Sequence, residues 1–117
     1  GKVVLVTDSS MAAGLDDGEY FLGEQKIVVK NREARLASGV LSGSTLSMID
    51  AVQNMIKKFG IPLEETIKMV SDTPSKIIKV DDVKGSLLPG KDADIVLLDG
   101  DLNIKMTIVE GRTVFKK

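Results

Sequence analysis

Apolar positions fall in different patterns along this chain, and each pattern predicts an element. Val3-Val4-Leu5-Val6 is an unbroken apolar run, mostly β-branched. A strand with one wet face would alternate, so the run predicts a strand buried on both faces, as in a parallel sheet. It ends on Thr7-Asp8 and opens into a small-residue loop, Ser9 to Gly14. After the turn cluster Asp16-Asp17-Gly18, residues 19–36 read as short strands forming one or two hairpins, with Asn31 at a turn. Ser38 to Ser44 reads as a second small-residue loop. Ser47, with Asp50 three residues on, marks a helix start. Met48, Val52, Met55, Ile56 and Phe59 follow at helical spacing and predict its buried face, with the methionines as core. Gly60 ends that helix and Pro62 begins the next, whose buried stripe is Leu63, Ile67 and Val70. Pro74 predicts its end at Thr73, with one further turn over Ser75 to Ile78. Asp81 to Asp92 is polar and turn-rich. Ile95 to Leu98 is a second buried-type strand, and Ile104 to Val109 and Thr113 to Phe115 are two more, joined at Glu110-Gly111 by a tight hairpin.

Strands flanking two helices give the α/β class. The opening strand, loop and helix form one βα unit, and one such unit cannot cover both faces of its own strand. The expectation is that the chain begins partway through a larger α/β domain. Its 117 residues suffice for one modest core. Hydrophobic residues make up 43% and charged residues 28%, a globular balance. The net charge of −1, with lysines and arginines dispersed, argues against nucleic acid or an anionic membrane as partner. Aromatics are 3% with no Trp, too few for base-stacking platforms. No apolar run is long enough to span a bilayer.

Cysteine and histidine are both absent. Disulfides, Ser-His and Cys-His nucleophile systems and a self-contained zinc site are thereby disfavoured within this chain. Carboxylates remain for acid–base chemistry, and Asp8 is the one placed to matter. Two readings of it stand. A carboxylate at the C-terminal tip of a buried parallel strand is where α/β barrels place catalytic groups. Alternatively, Asp8 only caps the loop by bonding nearby backbone N–H groups. Leu41-Ser42-Gly43-Ser44 also has two readings: a ligand-facing loop whose glycine admits close approach, or a simple helix entry.

The run Lys84-Gly85-Ser86-Leu87-Leu88-Pro89-Gly90-Lys91-Asp92-Ala93-Asp94-Ile95-Val96-Leu97-Leu98-Asp99 resembles the C-terminal signature of the amidohydrolase superfamily. Val6-Thr7-Asp8, Gly18-Glu19-Tyr20 and Gly39-Val40-Leu41-Ser42-Gly43-Ser44, in that order, are similar to the N-acetylglucosamine-6-phosphate deacetylase family. The resemblance covers essentially the whole chain but only the last third or so of a family member. It implies an α/β fold made of the last strand–helix unit of a metal-dependent (β/α)8 barrel plus the strands of a small β-sandwich. Residues 1–80 would be the barrel part and residues 81–117 the sandwich part.

The implied reaction removes the acetyl group of N-acetylglucosamine 6-phosphate, with Asp8 as general base and then acid. Leu41, Ser42 and Gly43 would lie near the sugar. A divalent metal, zinc or iron, would serve the full-length protein through ligands upstream, with none bound by this stretch alone, which is expected to be inactive by itself. A cytoplasmic homo-oligomer acting on a small amino-sugar phosphate completes the expectation. The family pattern is broken at Ser9 for Ala, at Thr73-Pro74-Ser75 for Asn-Pro-Ala, at Asn31-Arg32 for an Asp-Gly turn, and near Lys79 for a glycine. The competing readings are another amidohydrolase, such as a cyclic-amide hydrolase, and a non-catalytic binding or structural module.

Overall fold

The computed structural model describes residues 2–117. The chain divides into two units, Val6–Ala51 and Val52–Lys117, the latter joined by the residues up to Leu5.

In the unit Val6–Ala51, four strands form an antiparallel sheet in chain order: β1 (Gly18–Leu22), β2 (Gln25–Lys30), β3 (Glu33–Leu36) and β4 (Leu41–Ser44). The alternation in β2 buries Ile27 and Val29, with Ala34 of β3 on the same face. Ala12, from the loop after Asp8, closes this cluster, and Tyr20 and Leu36 pack at its margin. Fully burying an isoleucine contributes about 1.5–3 kcal/mol, so Ile27 is the largest single anchor of the sheet.

Turn chemistry fits the hairpins. β1 and β2 join through Gly23-Glu24, with positive φ only at Gly23. β2 and β3 join through Asn31-Arg32, both at positive φ (51° and 67°), the pattern of a type I′ turn. The hairpins expected over 19–36 are therefore formed. The loop expected over Ser38 to Ser44 is not: Leu41–Ser44 is a strand paired with β3. Small polar residues do not announce a strand, but the β3 edge supplies backbone partners that make one.

The Val3–Val6 strand is not formed either. Leu5 donates a hydrogen bond to the Met69 carbonyl (3.1 Å), and Val6 is 74% exposed. A strand exists through its neighbours, and no segment among the described residues offers this run a ladder. Among the described residues the only parallel pairing comes just after it, an isolated bridge between Ser9 and Ser44.

Helix α1 (Met48–Lys57) starts where the capping pattern placed it. The Ser47 hydroxyl accepts the Asp50 N–H (3.2 Å) and donates to Oδ2 of Asp50 (2.6 Å), which also accepts the Ser47 N–H (3.3 Å). Asp is shorter than the Glu of a usual capping box, and the extra hydroxyl contact closes the gap. Gly60, at φ 68°, donates to the Ile56 carbonyl as the helix ends. Ala51 and Val52 are the buried residues of the helix, whereas Met48 and Phe59 are exposed.

In the second unit, α2 (Leu63–Ile67) runs through a π-helical turn (Lys68–Asp72) into α3 (Thr73–Ile77). Pro74 does not end the helix as expected. The Thr73 N–H reaches five residues back, to the Lys68 carbonyl, and Pro74 follows in the first turn of α3. The widened turn shifts the hydrogen-bond register just before the residue that lacks an N–H.

The expected stripe also fails here: Leu63 and Ile67 are exposed, while Thr66, Thr73 and Ser75 are buried. The Thr66 hydroxyl donates to the Pro62 carbonyl (3.1 Å) and that of Ser75 to the Asp72 carbonyl (2.8 Å), so burial leaves neither unpaired. This small-residue face admits Gly85 so closely that a Cβ there would sit 2.1 Å from Ser75 Oγ. Beyond it, β5 (Ile95–Leu98), β6 (Ile104–Val109) and β7 (Arg112–Lys116) form an antiparallel meander. Glu110 and Gly111 both have positive φ at the β6–β7 turn, as the tight hairpin requires. β5 is not buried on both faces, since Val96 and Leu97 are exposed.

Candidate functional site

Asp8 has φ 48°, in the left-handed region that L-residues other than Asn, Asp and Gly seldom enter. Aspartate enters this region more readily than most residues, and here its neighbours hold it there. They do so through β4. The Asp8 carbonyl accepts the Ser44 N–H (2.8 Å), and the Ser10 N–H donates to the Ser44 carbonyl (2.8 Å). The Ser44 hydroxyl donates to the Thr7 carbonyl, and the Ser9 hydroxyl to the Leu46 carbonyl. Ser10 then turns the loop, its carbonyl accepting the Ala13 N–H (3.0 Å), and Ala12 seats in the sheet core. Asp8 is thus tied on one side to the sheet edge and on the other to the core.

The Asp8 carboxylate itself is exposed and makes no hydrogen bond or ion pair among the described residues. The loop-capping bonds are not seen among the described residues: the bonds at residue 8 are made by its backbone.

Gly43 is brought directly to this point. It has φ 71°, and a Cβ on it would lie 2.9 Å from the Asp8 carbonyl oxygen. Leu41 pairs with Arg35 on β3, and no hydrogen bond joins Leu41 or Ser42 to Asp8 among the described residues. Sequence reasoning placed Leu41, Ser42 and Gly43 near the sugar and named Ser44 in the same loop without giving a role of its own to Ser44, which bonds the Asp8 segment through its N–H, its carbonyl and its hydroxyl. The signal available was the recurrence of serine pairs on both sides, Ser9-Ser10 and Ser42-Gly43-Ser44, which suits two backbones in close approach.

A second polar cluster lies in the same unit, in a concavity of about 320 Å³ lined in part by Arg32, Thr45, Ser47 and Asp50. The Ser47 hydroxyl, and secondarily Arg32, hold the Asp50 carboxyl below the usual aspartate range. Its groups are engaged with one another. Arg32 pairs with Asp50, Asp50 caps α1, and the Thr45 hydroxyl donates to the Arg32 carbonyl (2.6 Å). This cluster fastens the β2–β3 turn to the helix start.

Asp8 is thus an exposed carboxylate on a doubly anchored loop with a left-handed backbone. The chain belongs to the amidohydrolase family, whose model matches residues 2–114. Among its relatives, the N-acetylgalactosamine-6-phosphate deacetylase of Escherichia coli O157:H7 is 41% identical over 95% of this chain and 29% of its own. The N-acetylglucosamine-6-phosphate deacetylase of Vibrio furnissii is 37% identical over 97% of this chain and 29% of its own. The crystal structure of N-acetylglucosamine-6-phosphate deacetylase from Thermotoga maritima superposes with a TM-score of 0.90 at 45% identity, covering 98% of this chain and 31% of that one. The chain therefore spans about three tenths of the length of these relatives.

Amidohydrolases generally use a divalent metal ion. The residues of this chain do not fit one by themselves. His and Cys are absent, and no group of three or more potential ligands is found among the described residues. Asp8 offers a single carboxylate, short of the donor set that zinc or iron requires. No helix among the described residues is long and apolar enough to cross a membrane.

Proposed function

We propose that this chain is the C-terminal part of an N-acetylglucosamine-6-phosphate deacetylase, with Asp8 as the proton carrier of the reaction. Residues 1–80 would complete the catalytic barrel and residues 81–117 would supply strands of a small β-sandwich. The observation that carries the reading is the free Asp8 carboxylate on a backbone that β4 forces into the left-handed region. Asp8 takes a proton from the water that attacks the acetyl carbonyl. The tetrahedral adduct then breaks its C–N bond, and Asp8 returns the proton to the departing nitrogen. The products are acetate and glucosamine 6-phosphate. General acid–base assistance of this kind contributes about 10²–10⁴-fold. Zinc or iron would be held by residues outside this chain. Leu41, Ser42 and Gly43 lie on the strand that borders Asp8, and we assign them to the sugar.

The test is acetate release by the full-length protein. N-acetylglucosamine 6-phosphate, its galacto epimer, unphosphorylated N-acetylglucosamine and a cyclic amide are each supplied as substrate. The gluco 6-phosphate should give the highest kcat/KM. Preference for the galacto epimer would correct the sugar and leave the reaction standing. Opening of the cyclic amide without acetate release from either phosphate would overturn the reading.

A further inference from the structure

We propose that Ser44 is a positioning residue for the reaction, acting on Asp8 through its backbone, with Gly43 as the residue that lets it come close enough. The proposal rests on the reading of Asp8 given above. The direction in which a carboxylate leaves the chain is set by the two peptide planes that flank its Cα. Here both planes are held by one residue. The Ser44 hydroxyl donates to the Thr7 carbonyl, which fixes the peptide before Asp8. The Ser44 N–H donates to the Asp8 carbonyl (2.8 Å), which fixes the peptide after it. Two bonds, to consecutive carbonyls, hold the rotation between those planes at φ 48°.

The hydroxyl is itself fixed, because the Leu46 N–H donates to it at 3.1 Å. The Ser44 carbonyl is also occupied, by the Ser10 N–H at 2.8 Å, so the serine cannot slide along the loop. Gly43 completes the device by leaving room. A methyl group there would stand 2.9 Å from the Asp8 oxygen and 3.5 Å from Ser10 Cβ, and the two backbones would have to part. Without these bonds, residue 8 is free to return to the negative φ that aspartate ordinarily adopts, and its carboxylate swings away from the substrate. Displacements of about 1 Å at a reacting group cost on the order of a hundredfold in rate, so loss of part of the clamp should be visible in kcat.

The experiment is a double-mutant cycle in the full-length enzyme with N-acetylglucosamine 6-phosphate. Ser44→Ala, which keeps the backbone bonds and deletes the hydroxyl, should lower kcat about tenfold and leave KM within about twofold. Ser44→Thr restores a hydroxyl and should recover most of that loss. In an Asp8→Asn background, Ser44→Ala should lower the residual rate less than about twofold, since it acts only through Asp8. If Ser44→Ala does not fold, Ser44→Cys, which keeps the size and weakens the donor, takes its place in the same cycle, with a loss in the same direction and the same disappearance in the Asp8→Asn background. Equal losses in both backgrounds would mean a general structural role and would overturn the proposal. A kcat for Ser44→Ala within twofold of wild type, alongside an inactive Asp8→Asn, would overturn it while leaving Asp8 catalytic. Full activity of Asp8→Asn would remove both together.

Discussion

Lys79 sits where the backbone asks for glycine. It follows α3 at φ 60°, its N–H donates to the Lys76 carbonyl (3.3 Å), and the next N–H, of Val80, donates to the Ser75 carbonyl (2.9 Å). These two bonds are a Schellman ending with Lys79 at the left-handed position. A left-handed L-residue costs roughly 1–2 kcal/mol, partly offset by the greater freedom glycine has when unfolded. Lys79→Gly should therefore stabilise the chain by about 0.5–1 kcal/mol, read from urea unfolding. A decrease would mean that the lysine side chain contributes more than its backbone costs. The sequence made this position visible as a missing glycine, but the reason, a left-handed helix ending, appears only with the hydrogen bonds. Asp8 was legible in the same partial way. Its place after an apolar run was plain, whereas its φ and its clamp depend on Ser44, far along the chain, which no local pattern connects to it.

At the scale of elements, hairpins and caps read well because their chemistry is local. Asn31, Ser47 with Asp50, Gly60 and Gly111 each do what their residue types favour within a few positions, while Arg32 and Glu110 take positive φ because the two-residue turns require it. Faces read poorly. Leu63 and Ile67 looked like the core stripe of α2, yet the buried positions are Thr66, Thr73 and Ser75, the last against the backbone of Gly85. β4 was missed because its partner strand, not its own composition, makes it a strand.

The β5–β6 connection offers a pH test of an element. The Asn103 N–H (2.8 Å) donates to the Asp99 carboxylate, as do the Asn103 side-chain amide and the Asp101 N–H (3.0 Å). These bonds, the Asn103 backbone first, hold the Asp99 carboxyl down to about 2. An unfolded aspartate titrates near 3.9, so the folded value is the lower one. The contribution of this turn is then complete above about pH 4 and is lost as the pH falls through about 2. NMR titration of the Asp99 carboxyl carbon should give a midpoint near 2, and Asn103→Ala should raise it. A midpoint at the ordinary aspartate value would show that the carboxylate does not close the turn.

For the whole molecule, the apolar opening run is the feature whose expected strand is not formed among the described residues. Val3 to Val6 has the composition of a barrel strand, but a parallel strand needs a neighbour on each edge, and among the described residues it has none. What survives is its consequence: the run delivers Asp8 to the edge of β4, where Ser44 and Gly43 hold it. The chain spans about three tenths of the length of the deacetylases named above, so the chemistry is tested on the full-length protein. The most direct measurement compares kcat of the full-length enzyme with that of Asp8→Asn on N-acetylglucosamine 6-phosphate, with metal content equal in both. The asparagine keeps the shape and the left-handed backbone and removes the proton carrier. Turnover should fall by at least about two orders of magnitude with little change in KM. A metal-replete Asp8→Asn enzyme turning over at a near-normal rate would contradict the assignment of Asp8.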